Sequence, residues 1–293
     1  MNFEQQKKQK VEEINAFLTE YMPEESGKES ILCEAMNYSV AVGGKRIRPM
    51  LLLESYKMFG GEGRTAEPFA AALEMIHTYS LVHDDLPAMD NDMYRRGQLT
   101  THAKYGEAMG VLAGDGLLNY AFEVMSDAVC KQGANAAKAM AILAKKAGVR
   151  GMIAGQTVDL ARNGKEITKE LLDYINERKT SALLCSALMA GAALAGAKEE
   201  ELTVLEQVGN LVGLAFQIKD DILDVIGDEA KLGKPLHSDE KNDKNTYVSL
   251  IGIEQAEATV KEFSDRAVEL LATLSCRNEF LEELLLSLVT REY

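Results

Sequence analysis

Hydrophobic residues occur along most of the chain at the three- and four-residue spacing of an amphipathic α-helix. Near the N-terminus, Val11, Ile14 and Leu18 follow this spacing, which predicts a helix over residues 4–21. No segment alternates convincingly between apolar and polar residues, as a half-buried strand would. The pattern predicts an all-α fold in one domain spanning 1–293, with further helices near 31–42, 49–59, 66–84, 102–113, 115–130, 134–148, 150–162, 168–178, 179–195 and 200–225, and two or three more before the C-terminus.

Two polar segments, 86–100 and 226–245, interrupt this series of helices and are predicted to be loops. Pro87 ends the helix that precedes the first of them. Each loop follows a pair of adjacent aspartates, in LVHDDLPAMDNDMYRRG (81–97) and in FQIKDDILDV (216–225). Charged side chains beside apolar residues are costly to bury unless something neutralises them. The two acidic clusters are therefore the first candidates for a functional site.

The composition argues against several classes of function. The chain has 32 basic and 46 acidic residues, a net charge of −14, which disfavours nucleic acid or an anionic membrane as the main partner. The N-terminal segment lacks the apolar core of a secretory signal, and the run 181–197 is too short and too rich in small residues for a membrane anchor. Four cysteines without a CxxC pair indicate the reduced thiols of a cytoplasmic protein.

The second acidic cluster places Asp220 and Asp224 four residues apart on one helical face, with Asp221 between them. Like charges at this spacing repel each other. A cation that prefers oxygen ligands would relieve the repulsion, and Mg²⁺ takes one or two carboxylates together with water and phosphate oxygens. Alone, the cluster would indicate a solvated acidic face, but its apolar flanks predict a helix that is buried on most sides.

The first acidic cluster lies where a helix ends, with Asp84 and Asp85 in the last turn and Asp90 in the loop beyond. The C-terminus of a helix carries partial negative charge, so a bound cation would offset an unfavourable position. Arg95 and Arg96 follow at once, and adjacent arginines beside a cation suit a multiply charged anion such as diphosphate. An acidic loop paired with its own arginines is the simpler alternative, but two such clusters together favour a metal site.

Basic residues are concentrated in GGKRIRP (43–49), where Lys45 and Arg48 lie between two glycines and a proline suited to the first turn of a helix. Flexible backbone, cations and a helix N-terminus favour an anion site, although a charged turn gives the same pattern. His77 lies two helical turns before Asp84 on the same stripe, a position equally consistent with a phosphate contact and with a core residue.

The segments GGKRIRP, HDDLPAMDNDMYRRG, GQTVDL, KTSAL, FQIKDDILDV, GKPLHSD and KNTY resemble motifs of the trans-isoprenyl diphosphate synthases, in that family's order over residues 43–247. The four-residue gap between Asp85 and Asp90, and Tyr79-Ser80 ahead of the first motif, resemble the bacterial farnesyl diphosphate synthases. The resemblance implies a helical barrel around a deep apolar cavity, with the two aspartate motifs facing each other across its mouth. It also implies condensation of isopentenyl diphosphate with an allylic diphosphate, dimethylallyl and then geranyl, to give (2E,6E)-farnesyl diphosphate.

The resemblance further implies roles for individual residues. Mg²⁺, as three ions, would be held between the allylic diphosphate and the carboxylates of Asp84, Asp85, Asp90, Asp220, Asp221 and Asp224. The allylic diphosphate would contact Arg95, Lys179, Thr180, Gln217 and Lys234, of which Lys179, Thr180 and Gln217 would also be catalytic. Isopentenyl diphosphate would contact Lys45, Arg48, His77 and Arg96. The resemblance also implies a homodimer.

Two positions depart from the pattern of this family. His237 in GKPLHSD stands where glycine is usual, and histidine would strain a backbone that needs a positive φ. The C-terminal segment TREY lacks the family's frequent basic tail. The histidine at position 237 affects how the loop that contains GKPLHSD would close, and it does not change the predicted class of reaction.

The length of the product depends on what closes the cavity. Tyr79 is five residues before Asp84, about 7.5 Å deeper along the helix, so its ring could cap a C15 chain beside Ser80. A core role for Tyr79 and a geranylgeranyl diphosphate synthase with a deeper cavity are the alternatives. The GGKRIRP segment and the intact second aspartate motif favour an elongating enzyme with a site for isopentenyl diphosphate over a terpene cyclase. A non-catalytic subunit of a heteromeric synthase would be expected to lose aspartates, and all six are present.

Overall fold

The computed structural model describes residues 1–161, 167–226 and 246–290. Over these ranges the chain forms helices joined by turns, in the order α1 (Phe3–Tyr21), α2 (Ser30–Ala41), α3 (Ile47–Met58), α4 (Glu67–Asp84), α5 (Thr101–Tyr105), α6 (Glu107–Gln132), α7 (Ala134–Ala147) and α8 (Met152–Ala161). The order continues with α9 (Lys169–Asn176), a π-helical turn (Glu177–Ser181), α10 (Ala182–Leu194), α11 (Glu199–Ile226), α12 (Tyr247–Ile251), α13 (Ile253–Leu271) and α14 (Glu279–Thr290).

The all-α prediction is confirmed, with a small hairpin inside the segment predicted to be a loop. Strand β1 (Tyr94–Arg95) pairs antiparallel with β2 (Gln98–Leu99). The two residues between the strands, Arg96 and Gly97, have φ angles of 53° and 77°. Two successive positive φ angles are the requirement of a tight hairpin turn that matches the twist of its strands. The hairpin fixes where Arg95 and Arg96 leave the backbone.

The predicted break between helices 102–113 and 115–130 is wrong, because Glu107–Gln132 forms one 26-residue helix, α6. The predicted break falls at Gly114, yet Gly114 and the nearby Gly116 both lie inside the helix. A Cβ at Gly114 would lie 2.0 Å from the imidazole of His83, and one at Gly116 would lie 2.8 Å from the sulfur of Met36. These glycines therefore allow α6 to pack closely against α4 and α2.

Helix α4 passes through the core and positions most of the charged residues considered above. It packs against α6 and α3, and it is buried along nearly all of its length. Most of the run 181–197, which its length and composition disfavoured as a membrane anchor, forms the buried helix α10, which packs against α3, α7 and α11. None of the helices in the described ranges combines the length and apolar character needed to cross a membrane.

Candidate active site

The first aspartate cluster lies at the C-terminal end of α4. The chain turns back after the helix, so that the backbone N–H of Asp90 donates to the backbone carbonyl of Asp84 at 2.8 Å. Burial raises the pKa of Asp84 to about 6, Lys179 opposes this shift, and the charge of Asp90 adds to it. A cation bound here would offset the repulsion between the carboxylates of Asp84 and Asp90.

Asp85 has a partner within the loop. It is buried, and Arg95 Nε and Nη2 donate to its carboxylate at 2.9 and 2.6 Å. Burial raises the pKa of Asp85, while the hydrogen bond from Arg95 lowers it. Asp85 and Arg95 thus form an ion pair within the loop, as the simpler alternative to a metal site predicted. A metal ion would compete with Arg95 for the carboxylate of Asp85, and a diphosphate would compete with Asp85 for the guanidinium of Arg95.

Two residues of α8 contact the site although the sequence alone indicated no role for them. Gln156 Nε2 donates to Asp84 Oδ1 at 2.7 Å, and Lys179 Nζ donates to Asp159 Oδ2 at 2.7 Å. Both α8 residues belong to the GQTVDL segment, and their spacing of three residues places them on one face of the helix. That segment was the only signal in the sequence that could have identified them.

Lys179 and Thr180 lie on the π-helical turn Glu177–Ser181, where the sequence predicted two α-helices that meet. Such wide turns are rare in proteins, and those that occur often lie at functional sites. A Cβ at Gly155 would lie 2.3 Å from the backbone nitrogen of Lys179, and one at Gly213 would lie 2.2 Å from the hydroxyl of the last residue of the turn. Glycines in α8 and α11 therefore let both helices pack tightly against it.

Hydrogen bonds connect this turn to the second aspartate cluster, at the end of α11. Thr180 Oγ1 donates to Gln217 Oε1 at 3.3 Å, and Gln217 Nε2 donates to Asp221 Oδ1 at 3.3 Å. The backbone N–H of Tyr247 donates to the other oxygen of Asp221 at 2.9 Å. Asp221 and Asp224 are only 4% and 2% exposed, which confirms that this part of α11 is buried, as its apolar flanks predicted.

The carboxylates fit a metal that also binds its substrate. Asp220 is half-buried beside the buried Asp221, and Asp84 is half-buried at the end of α4. In the part of the chain that the structure describes, no three His, Cys, Asp or Glu side chains converge on one point where they could hold an ion by themselves. Mg²⁺ needs no such cluster when water and phosphate oxygens complete its coordination.

A second group of charges lines a cavity of about 850 Å³ beside α3 and α4. Arg48 Nη1 donates to His77 Nε2 at 3.3 Å, and Arg48 Nε is buried with no hydrogen-bond partner among the residues described. Gly44 allows the hairpin to approach, since a Cβ there would lie 2.5 Å from Arg96 Nη1. All four residues predicted to contact isopentenyl diphosphate line this one cavity: Lys45, Arg48, His77 and Arg96.

The cations in this cavity affect one another. Burial lowers the pKa of His77 well below its ordinary value, and the charges of Arg48 and Arg96 act in the same direction. Burial also lowers the pKa of Arg48. The imidazole of His77 is therefore neutral near pH 7 beside two guanidinium groups. A bound anion would relieve the repulsion between these groups.

Arg46, the middle cation of GGKRIRP, has a structural role that the sequence did not distinguish. Its guanidinium donates to Glu74 Oε1 at 2.7 Å, to Asn15 Oδ1 at 2.8 Å and to the carbonyl of Val40 at 2.7 Å. Its backbone is left-handed, with a φ of 48°. These contacts join α1, α2 and α4 at the point where α3 begins.

Tyr79 and Ser80 lie on α4 between the two groups of charges. The Tyr79 ring is buried and meets the His83 ring edge-on, with ring centroids 5.8 Å apart. Ser80 Oγ donates to the backbone carbonyl of residue 77 at 2.8 Å. A cap on the growing chain and a core residue would both occupy this position, so the effect of Tyr79 on product length stays a prediction. Lys234 and His237 lie outside the described residues.

A profile of the polyprenyl synthetase family matches residues 29–277. The chain belongs to this family. The polyprenyl synthetase is 41% identical to the farnesyl diphosphate synthase of Escherichia coli (strain K12) over 94% of this chain and 93% of that one. It is 46% identical to the geranylgeranyl diphosphate synthase of Cyanophora paradoxa over 84% and 86% of the two chains.

A solved structure extends the similarity to the fold of this polyprenyl synthetase. A geranyltransferase from Helicobacter pylori, complexed with magnesium and isoprenyl diphosphate, superposes with a TM-score of 0.84. The two are 33% identical, over 99% of this chain and 97% of that one. The resemblance seen in the sequence motifs is therefore confirmed, and the protein is a prenyltransferase.

Proposed function

We propose that this prenyltransferase condenses isopentenyl diphosphate head to tail with dimethylallyl and then geranyl diphosphate, and releases (2E,6E)-farnesyl diphosphate. The arrangement of charge along α4 is the observation that supports this best. His77 faces the cationic cavity with Arg48, and Asp84 lies seven residues further on, about 10 Å along the same helix. Helix α4 thus separates a cationic region, which would bind isopentenyl diphosphate without metal, from an acidic region, which would bind the allylic diphosphate with Mg²⁺.

The first step is departure of the allylic diphosphate. When bound, Mg²⁺ supplies the positive charge that stabilises the leaving diphosphate. Arg95 and Lys179 add fixed cations at the same end of α4, where burial raises the pKa of Asp84 and Lys179 opposes that rise. The residues that would hold the metal are the six aspartates of the two clusters: Asp84, Asp85, Asp90, Asp220, Asp221 and Asp224.

The second step joins the two substrates. As the allylic C–O bond breaks, an electron-poor carbon forms that requires neutral oxygens and little water. The hydrogen-bonded pair of Thr180 and Gln217 offers such oxygens between the π-helical turn and Asp221. The double bond of isopentenyl diphosphate supplies the electron pair for the new C–C bond. We assign no side chain as the base, and the departed diphosphate takes the released proton.

The farnesyl product depends on Tyr79 as the floor of the allylic pocket. Its buried ring lies on α4 on the far side of Asp84 from the loop, as the prediction requires. A geranylgeranyl product is the alternative, and the similarity to the synthase from Cyanophora paradoxa supports it. Three Mg²⁺ ions per site, a homodimer, a single domain and a cytoplasmic location all stay predictions.

Product analysis tests this proposal. Purified protein, Mg²⁺, labelled isopentenyl diphosphate and dimethylallyl diphosphate are incubated, and the products are dephosphorylated and separated by chain length. Farnesol is the expected product. Geranylgeraniol would retain the reaction and reject the Tyr79 floor. No Mg²⁺-dependent product, with geranyl diphosphate as starter as well, would overturn the proposed function.

A further inference from the structure

The cationic cavity is also lined by both ends of the described chain. Besides the residues discussed above, its walls include side chains from the first helix and from the last: Glu4, Lys7, Ser287, Leu288 and Thr290. None of these belongs to a segment on which the family resemblance rests. Lys7 is the cation among them, so it adds positive charge to a cavity that already contains Lys45, Arg48 and Arg96.

We propose that Lys7 binds the diphosphate of isopentenyl diphosphate, as a cation contributed by α1 to the same cavity. This inference rests on the proposed function for the identity of the anion. It extends the binding site to a helix that carries none of the family motifs.

The backbone of α1 is held firmly where Lys7 leaves it. The helix begins with a capping box, in which the Asn2 side chain accepts from the backbone N–H of Gln5 at 2.9 Å and the Gln5 side chain accepts from the backbone N–H of Asn2 at 3.2 Å. The Phe3 ring packs against the Phe280 ring of α14, with centroids 5.3 Å apart. Lys7 follows one turn later, so its position relative to the cavity is set by both terminal helices.

The charge of Lys7 is only weakly satisfied within the protein, by one long ion pair and by the Phe3 ring, whose centroid lies 5.6 Å from Lys7 Nζ. Lys7 Nζ lies 3.9 Å from Glu4, whose side chain is 75% exposed, and such pairs contribute little. Lys10, one turn further along α1, differs because it lies 2.6 Å from the buried carboxylate of Glu54. Lys10 is therefore engaged in the fold, whereas Lys7 can turn to a ligand at small cost.

The two acidic groups in the cavity offset only part of its positive charge, which comes from Lys7, Lys45, Arg46, Arg48 and Arg96. Of the two glutamates in its lining, Glu74 is paired with Arg46 at 2.7 Å, and Glu4 is largely exposed to water. Arg48 retains a buried Nε without a partner in the described ranges. A multiply charged anion fits this surplus, and Lys7 is the cation that approaches it from the α1 side.

Lys7→Gln and Lys8→Gln form a matched pair for the test. Lys8 is the next residue of α1, is exposed and does not line the cavity. Titration calorimetry with isopentenyl diphosphate in EDTA gives the Kd of each variant, and steady-state kinetics give the KM for each substrate. We expect Lys7→Gln to raise both constants for isopentenyl diphosphate about three- to tenfold, less at high salt, with the KM for geranyl diphosphate unchanged. Lys8→Gln should change neither.

Equal constants for the two variants would overturn the role of Lys7, and so would a matching loss for geranyl diphosphate, which would indicate a general structural defect. The proposed function fails in a different way, through absence of turnover by the wild-type protein. In that case the Kd values in EDTA still decide whether Lys7 contacts the diphosphate.

Discussion

The two charged regions along α4 are built in opposite ways. In the acidic region the carboxylates accept hydrogen bonds from the protein, as Asp85 does from Arg95 at 2.6 Å and Asp84 from Gln156 at 2.7 Å. In the cationic cavity, Arg48 Nη1 donates to the neutral ring of His77 at 3.3 Å, and Arg48 Nε has no hydrogen-bond partner in the described part of the chain.

This difference indicates two modes of binding. An anion can enter the cationic cavity without displacing an internal ion pair from Arg48. At the acidic end, a metal ion and a diphosphate must together replace contacts such as the pair between Asp85 and Arg95. Binding at that end should therefore depend on Mg²⁺, whereas binding in the cavity should not.

The largest effect is expected at the acidic end. Asp84→Asn should lower kcat about 10³-fold, because it removes a carboxylate that would hold Mg²⁺. The bound metal neutralises the negative charge of the leaving diphosphate. The fold should keep its Tm at pH 7 without metal, or gain slightly. The pKa of Asp84 is raised to about 6, so its charged form is disfavoured in the folded state above that pH, and the amide removes this cost.

Asp92→Asn is the matched control, since Asp92 is exposed in the same loop. It should retain kcat within about twofold. Asp220→Asn should act like Asp84→Asn. Rates near the wild type in both Asp84→Asn and Asp220→Asn would contradict the assignment of the metal to these clusters.

The frame of the cationic cavity gives the next largest effect, this time on stability. Glu74→Gln should lower the free energy of unfolding by about 3–5 kcal/mol, because it leaves the buried guanidinium of Arg46 without its carboxylate. Glu67→Gln on the same helix removes a pair with Arg64, whose side chain is 60% exposed, and should cost at most about 1 kcal/mol. Urea denaturation of the two variants measures both values, and equal losses would contradict this role of Glu74.

Within the cavity, a change at Arg48 should affect one substrate only. Arg48→Ala should raise the KM for isopentenyl diphosphate about 100-fold, because it removes buried charge-assisted hydrogen bonds. The KM for geranyl diphosphate should stay within about twofold, since that substrate binds at the other end of α4. A parallel rise in both KM values would show that the two regions are not separate.

The smallest effect on rate is expected between the two regions. Tyr79→Ala should extend the product beyond C15 while kcat stays within about tenfold, because the ring limits the pocket without contacting the reacting atoms. Chromatography of the dephosphorylated products measures this. An unchanged distribution of chain lengths would leave Tyr79 with a packing role only.

Features that depend on spacing along the chain could be predicted from the sequence. The first helix was predicted over 4–21 and spans Phe3–Tyr21, because its apolar period is regular and uninterrupted. The aspartates could be proposed as site residues because they lie in tight clusters at the ends of two helices. The resemblance of several motifs then placed distant segments in one site before the fold was known.

Features that depend on tertiary partners could not be predicted. Gly114 falls at the predicted break between two helices, yet it lies within α6, where the absence of a Cβ leaves space for the His83 ring from α4. The π-helical turn at Lys179 lies in close contact with α8 and α11 at Gly155 and Gly213, and no local pattern indicates this packing. Arg46 could not be separated from Lys45, since only the fold brings Glu74 to its guanidinium.

The two diphosphate regions should differ most sharply in their dependence on Mg²⁺, and calorimetry tests this difference most directly. Isopentenyl diphosphate and an unreactive thiolo analogue of geranyl diphosphate are titrated separately into the wild-type protein, each with Mg²⁺ and with EDTA. Isopentenyl diphosphate should bind with the same Kd in both buffers, and the analogue should bind only with Mg²⁺. Loss of isopentenyl diphosphate binding in EDTA, or analogue binding that persists there, would contradict two separate diphosphate regions along α4.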